Sequence, residues 1–139
     1  MSDYSWPDDL QPFQVRVARQ TDQLDAVKRF YCEGLGLPVL SEFVGHAGYD
    51  GLIVGLPGRD YHLEFVQHED GSPGAAPGKE NLLVFYIRDE SAVQSLAQKL
   101  VDMSYVRVPA ENPWWERHHA ITIEDPDGWR IVLQPEPEN

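Results

Sequence analysis

"TIEDPDGWRIVLQP", residues 122–135, decides the fold. Apolar residues alternate up to Asp125, and Asp125-Pro126-Asp127-Gly128 follows. Proline at the second place of that quartet and glycine at the fourth suit a type I turn. A second alternating run then carries Ile131 and Leu133. Alternation at period two is the mark of a half-buried strand. The stretch therefore reads as the end of a hairpin, with "HHAITIE" (118–124) leading in and "WRIVLQP" (129–135) leading out.

Working back from this hairpin, "YVRVP" (105–109) is short enough for a brief strand. "ESAVQSLAQKLVDM" (90–103) sets Val93, Leu96, Leu100 and Met103 on one side of a helix. "NLLVFYIRD" (81–89) reads as a strand. Before it, "HEDGSPGAAPGKE" (68–80) is rich in Gly and Pro and reads as a linker. The same element order is found upstream of it. "FQVRVAR" (13–19) is a strand, and Thr21 or Asp22 can cap the next helix. Leu24, Val27, Tyr31 and Leu35 stripe that helix, and "GLGLP" (34–38) ends it. Three alternating runs follow at 39–45, 49–56 and 61–67, with "LPGRD" (56–60) as a turn. The chain is thus strand–helix–three strands, twice. An offset of 68 residues sets Gln14 on Leu82 and Glu64 on Val132. The expected fold class is α+β, with paired βαβββ modules, a curved mixed sheet and helices on its outer face. The expected organisation is a lead-in (1–12), a first module (13–67), the linker (68–80) and a second module (81–135).

Composition narrows the function. Lys and Arg number 11 against 23 Asp and Glu, a net charge of −12. Such a chain repels phosphate backbones and anionic lipid, so neither nucleic acid nor membrane is an expected partner. It also contains no run of the ~18 apolar residues that a bilayer span requires. The N-terminus has no basic patch before an apolar stretch, so no signal peptide is expected. A lone Cys32 allows no internal disulfide, and the expected location is the cytoplasm.

"RFYCEGLGLPV" (29–39), "YHLEF" (61–65), "NLLVFYIRDESAV" (81–93) and "EDPDGWRIVL" (124–133) together resemble the vicinal oxygen chelate superfamily. That superfamily includes glyoxalase I, bleomycin-resistance proteins and ring-cleaving dioxygenases. "ENPWWE" (111–116) resembles an Asn-Pro-Tyr-Trp stretch of small glyoxalase-like bacterial proteins. The resemblance implies a cup-shaped sheet and a homodimer. It also implies four metal-ligand positions, one on each of four strands, drawn from His, Glu and Gln. Here they fall on Gln14, Glu64, Leu82 and Val132. Two are aliphatic and have no lone pair to offer, whereas a catalytic divalent site generally needs three protein ligands. No metal is therefore expected; a divalent ion, if one were held, would take Gln14 and Glu64.

Strand parity assigns faces, since neighbours alternate sides. Val15, Val17, Leu63, Phe65, Leu83, Phe85, Ile131 and Leu133 go to the helix layer. Gln14, Arg16, Ala18, His62, Glu64, Val66, Leu82, Val84, Tyr86, Arg88, Arg130, Val132 and Gln134 go to the cup. Glu64 has the strongest functional claim, as a general base or a polar anchor for a ligand; the alternative is an ion pair with Arg16 or Arg130. His62 shares its face and either orients Glu64 or lies at a solvated rim. Trp114 and Trp115 follow Pro113 in an expected loop that either closes over a flat ligand or plugs the core. Tyr86 offers a hydroxyl to the cup. His118 and His119, adjacent on an expected strand, point to opposite faces and read as structural, as does Cys32. His46, at a glycine-rich tip, carries a minority claim.

The expected function is a cup that binds a small organic ligand without the family metal. Glu64 is its tentative catalytic residue; Gln14, Arg16, His62, Tyr86, Trp114, Trp115 and Arg130 are its ligand contacts. Two alternatives stay open: a metal-dependent lyase or dioxygenase of the glyoxalase type, and a metal-free lyase or isomerase with Glu64 as base.

Overall fold

The computed structural model describes residues 5–10, 12–56 and 58–136. Pro57 of the expected turn lies outside them. The two expected copies are both present. β1 (Val15–Gln20), β2 (Val39–His46), β3 (Tyr49–Gly55) and β4 (Tyr61–His68) form one sheet in the order β1-β4-β3-β2. β5 (Leu82–Ile87), β6 (Arg107–Val108), β7 (Ile121–Glu124) and β8 (Arg130–Pro135) form the other in the order β5-β8-β7-β6. In each, the first strand runs parallel to the last and the remaining pairs are antiparallel. Among the described residues no strand pair joins the two sheets, so β1 and β5 each leave an unpaired edge. No helix among them is long and apolar enough to cross a membrane.

The first helix differs from its expectation at both ends. α1 (Leu24–Lys28) has Gln23 at its N-cap, with no side-chain cap bond. Thr21 accepts the Gln23 N–H instead, and Asp22 accepts the Ser72 N–H from the linker. After Lys28 the coil widens into a π-helical segment, Arg29–Gly34. The apolar stripe still works: Val27 and Tyr31 are buried, and Leu24 and Leu35 pack beside them. The widened turn also buries Phe30, a residue outside the period read from sequence. α2 (Glu90–Asp102) is capped by Asp89, whose carboxylate accepts the Ser91 N–H at 2.9 Å. One apolar cluster joins both modules, with Leu52, Val54, Leu63 and Phe65 from one sheet and Ile121, Ile123, Ile131 and Leu133 from the other. Burying each such side chain contributes about 1.5–3 kcal/mol.

Parity held, but burial on the outer strand did not. Val17 stands beside Leu63 on the helix side, as expected, yet Val15 and Val17 are 39% and 56% exposed. They sit on a sheet edge, and five-residue α1 packs on β3 and β4. The 68–80 stretch is tied down. Gln20 donates to the Pro73 carbonyl at 2.8 Å, and the Trp129 indole donates to the Gly74 carbonyl at 2.6 Å. Gly74 runs so close to the Gln20 carbonyl and the Thr21 backbone that no Cβ fits there.

The expected Trp loop is a short helix, α3 (Pro113–Arg117). Asn112 caps it by accepting the Trp114 N–H at 3.0 Å, and Pro113 takes the first-turn position that proline favours. His118 and His119 follow it and precede β7, so the opposite-face argument for a strand does not apply to them. His119 adopts a left-handed φ of 67°.

Candidate functional site

The side of each sheet away from the helices carries the candidate site, and the two halves differ. In the first module Arg16 pairs with His62 across β1 and β4, and Ala18 with Glu64. Arg16 approaches Glu64 at 3.5 Å, with side chains 36% and 20% exposed. The Arg16–Glu64 pair is the ionic alternative that strand parity allowed. Arg130 does not share it. Beside them, His62 is half-buried, and its Nδ1 is shut off from solvent without a hydrogen-bond partner.

The same side of the second module is covered. Val132 and Gln134 are fully buried and Arg130 nearly so. The segment of residues 109–120 bonds to two of them. Arg130 donates to the Pro109 carbonyl at 3.1 Å, and Gln134 donates to the His118 carbonyl at 2.9 Å. Arg130 also meets Glu124 at 3.3 Å, so its charge is spent within its own module. Within the covering segment Trp114 stacks on His118 at 3.9 Å and meets Trp115 edge-on at 5.1 Å. Trp114 remains 38% exposed and Trp115 is half-buried. Tyr86, on the outer strand, is 66% exposed. Gln14 precedes β1 and is exposed, so it stands outside the strand that was to carry it into the cup.

The four family positions do not supply a divalent-ion donor set. Leu82 and Val132 have no lone pairs, and the one carboxylate, Glu64, is engaged by Arg16. Elsewhere His68, Glu69 and Asp70 bring ligand atoms within 4.8 Å of one another, at the turn that ends β4.

A further group of residues, none singled out in the sequence as functional, ties the modules together. Arg19, on β1, donates to Asp125 at 2.6 Å and to Asp127 at 2.8 Å. The Tyr31 hydroxyl donates to the same Asp125 oxygen at 2.6 Å. The other Asp125 oxygen accepts the N–H groups of Asp127 and Trp129 at 2.9 and 3.0 Å. Gln23 donates to Asp127 at 2.6 Å. The Arg19 guanidinium lies 5.0 Å from the Phe65 ring centre and 5.3 Å from that of Trp129. Burial pushes the Tyr31 hydroxyl well up, and the Asp125 charge pushes it further. Burial also raises Asp125, against the opposing pull of Tyr31 and Arg19. Asp127 is desolvated too, yet hydrogen bonds from Gln23 and Arg19 outweigh that and hold it below the usual carboxylate range. Asp-Pro-Asp-Gly thus does two jobs, since Gly128 closes the turn with φ at 84° while the aspartates clamp the other module. The signal available in the sequence was a strand arginine and two turn aspartates, with nothing to join them.

Next to this clamp a cavity of about 670 Å³ lies between β1 and β5. Val17, Leu63, Leu83, Phe85 and Ile131 line it, with Arg19 and Tyr31. Of the expected ligand contacts only Arg130 reaches it.

Two βαβββ modules with this strand order are the architecture of the vicinal oxygen chelate superfamily. Sequence profiles of the YycE-like N-terminal and C-terminal domains match residues 15–66 and 80–135. The chain belongs to the YycE-like family. It is 51% identical over 124 residues to the uncharacterised protein YycE of Bacillus subtilis, covering 89% of this chain and 88% of that one. The crystal structure of a YycE protein of unknown function from Bacillus subtilis superposes with a TM-score of 0.89 at 46% identity, covering 97% and 98% of the two chains. Two further structures share the fold. Trypanothione-dependent glyoxalase I of Leishmania major gives a TM-score of 0.70 at 18% identity, covering 91% and 88%. TnmS3, an antibiotic-binding protein from Streptomyces sp. CB03234, gives 0.65 at 22%, covering 93% and 98%.

Proposed function

We propose that this chain binds a small organic molecule on the face away from the helices, without the family's metal, and that Glu64, Arg16 and His62 are its polar contacts. The observation that carries this reading is His62 Nδ1, a buried polar atom with no partner, set beside the Arg16–Glu64 pair. Buried polar atoms are hydrogen-bonded in the great majority of cases, and leaving one unpaired costs about 1–3 kcal/mol. A ligand that pairs with this nitrogen recovers that cost. The aliphatic Leu82 and Val132 supply hydrocarbon where an ion would need lone pairs. The net charge of −12 favours a cationic ligand. TnmS3, an antibiotic-binding protein of the same fold, is a parallel for such binding. A homodimer is part of the same reading, because the exposed Val15 and Val17 stand on the unpaired edge of β1.

A thermal-shift series with bleomycin and other cationic antibiotics tests the proposal. A bound compound at a hundred times its Kd stabilises the fold by about 2.7 kcal/mol, a rise of several degrees. Glu64→Gln is expected to diminish that rise. No shift with any compound, or a stoichiometric divalent ion in protein purified without chelators, sinks it. Light scattering during size-exclusion chromatography reads the dimer.

A further inference from the structure

The cavity of about 670 Å³ beside the clamp is lined by none of Arg16, His62 and Glu64. Its apolar wall comes chiefly from the helix side of both sheets, with Val17, Leu63 and Phe65 from the first and Leu83, Phe85 and Ile131 from the second. Ala18, Leu82 and Val84, of the other parity, reach it from the two edge strands themselves. The volume falls within the range of small-molecule pockets, about 300–1,000 Å³. Val17 and Tyr61, both in the wall, are 56% and 47% exposed, so apolar surface there is open to water. The polar residues gather at one end. Arg130 pairs with Leu82, and Glu80 and Asn81 come just before that residue. Trp129 precedes Arg130, and its ring lies 5.3 Å from the Arg19 guanidinium. The charges at this end are unequal. Arg19 meets Asp125 and Asp127, and Arg130 meets Glu124. Among the described residues no cation lies within ion-pair distance of Glu80. Two arginines thus stand against four carboxylates. The rings of Phe65 and Trp129 already receive one cation, Arg19, and the face of an aromatic ring attracts cations generally.

From this asymmetry we infer a ligand site in the seam between β1 and β5, separate from the face that carries Arg16, His62 and Glu64. It takes an apolar amine, a ring system bearing a protonated nitrogen. The hydrocarbon and rings of the wall receive the apolar body, and Glu80 receives the ammonium. An anionic ligand meets Glu80 with like charge and finds both arginines engaged. The site stands on the seam alone and does not rest on the proposed reading of the other face.

1-Naphthylmethylamine, 1-naphthylmethanol and 1-naphthoate test it, since they share a ring system and differ in charge. Each is titrated into the full chain and followed by amide and indole chemical shifts. The amine is expected to move the Trp129 indole and the backbone of residues 17–19 and 82–85. It is expected to bind about threefold more tightly than the alcohol, the worth of an exposed ion pair, and the carboxylate to bind most weakly. Glu80→Gln, at an exposed position, is expected to abolish the preference and leave the alcohol unchanged. Equal binding of amine and alcohol by the unaltered chain overturns the inference, and that arm needs no variant. A preference that survives Glu80→Gln overturns it as well. Shifts confined to Arg16, His62 and Glu64 overturn it while leaving the reading of that face intact. Seam shifts that grow with protein concentration alone assign the cavity to a second copy of the chain and overturn it too. If none of the three compounds moves residues 17–19 and 82–85, the seam is no ligand site.

Discussion

Replacing Asp125 by Asn tests whether the clamp between the modules is a main source of stability. The substitution keeps shape and one oxygen. That oxygen can still accept the N–H groups of Asp127 and Trp129. What is lost is the oxygen that serves both Arg19 and Tyr31 at 2.6 Å. An NH2 group now faces a guanidinium, donor against donor. A hydrogen bond to a charged group contributes about 1.5–3 kcal/mol, and breaking a buried pair from one side costs about 3–5 kcal/mol. Arg19 keeps Asp127 at 2.8 Å, which holds the loss toward the lower end. The expected cost is therefore about 3 kcal/mol. At the usual unfolding entropy per residue, a chain of 139 residues then melts about 10 °C lower. Calorimetry and a urea midpoint measure it. Tyr31→Phe sharpens the test, because that hydroxyl donates to the same oxygen. The two substitutions together should cost less than their sum. A loss under about 1 kcal/mol, or strict additivity, would refute the idea that this oxygen joins the modules, and the shared apolar cluster would then carry the contact alone.

Two more outcomes follow from the same seam. Gly74→Ala forces a methyl group against the Gln20 carbonyl and the Thr21 backbone, neither of which can swing away, so a cost of about 2 kcal/mol is expected in chemical denaturation. Asp127 titrates below the usual carboxylate range in the folded chain. Its contribution is therefore complete above the ordinary aspartate pKa of ~3.9 and fades as pH falls through the lower folded value. Asp127→Asn should thus lose stability at pH 7 and lose much less of it at pH 3; an equal loss at both counts against this reading.

Element order, the position of α2 and the inward parity of Leu63, Phe65, Ile131 and Leu133 were legible because each is a local pattern of period 2 or 3.6. Val15 and Val17 share that parity but not that burial. Whether a strand is central or at an edge depends on what pairs beside it, and alternation carries no record of neighbours. The Trp114–Trp115 stretch misled for a related reason. Pro113 after Asn112 is a helix start, yet one turn is too short to show a period. Gln14 was assigned to the cup by starting β1 two residues too early, at Phe13, and a strand boundary is set by its partner, here the Asp60 carbonyl that accepts the Val15 N–H at 2.9 Å.

The candidate site is legible in the sequence only as single residues. That Leu82 and Val132 offer no lone pairs is a property of each residue alone. That Val132 would be fully buried while Glu64 stays within reach of water is a property of packing between distant segments. On the proposed reading a cationic ligand approaches a chain of net charge −12, so its association rate is expected to fall as salt rises. Stopped-flow mixing at increasing ionic strength measures it, and a rate independent of salt counts against polar steering.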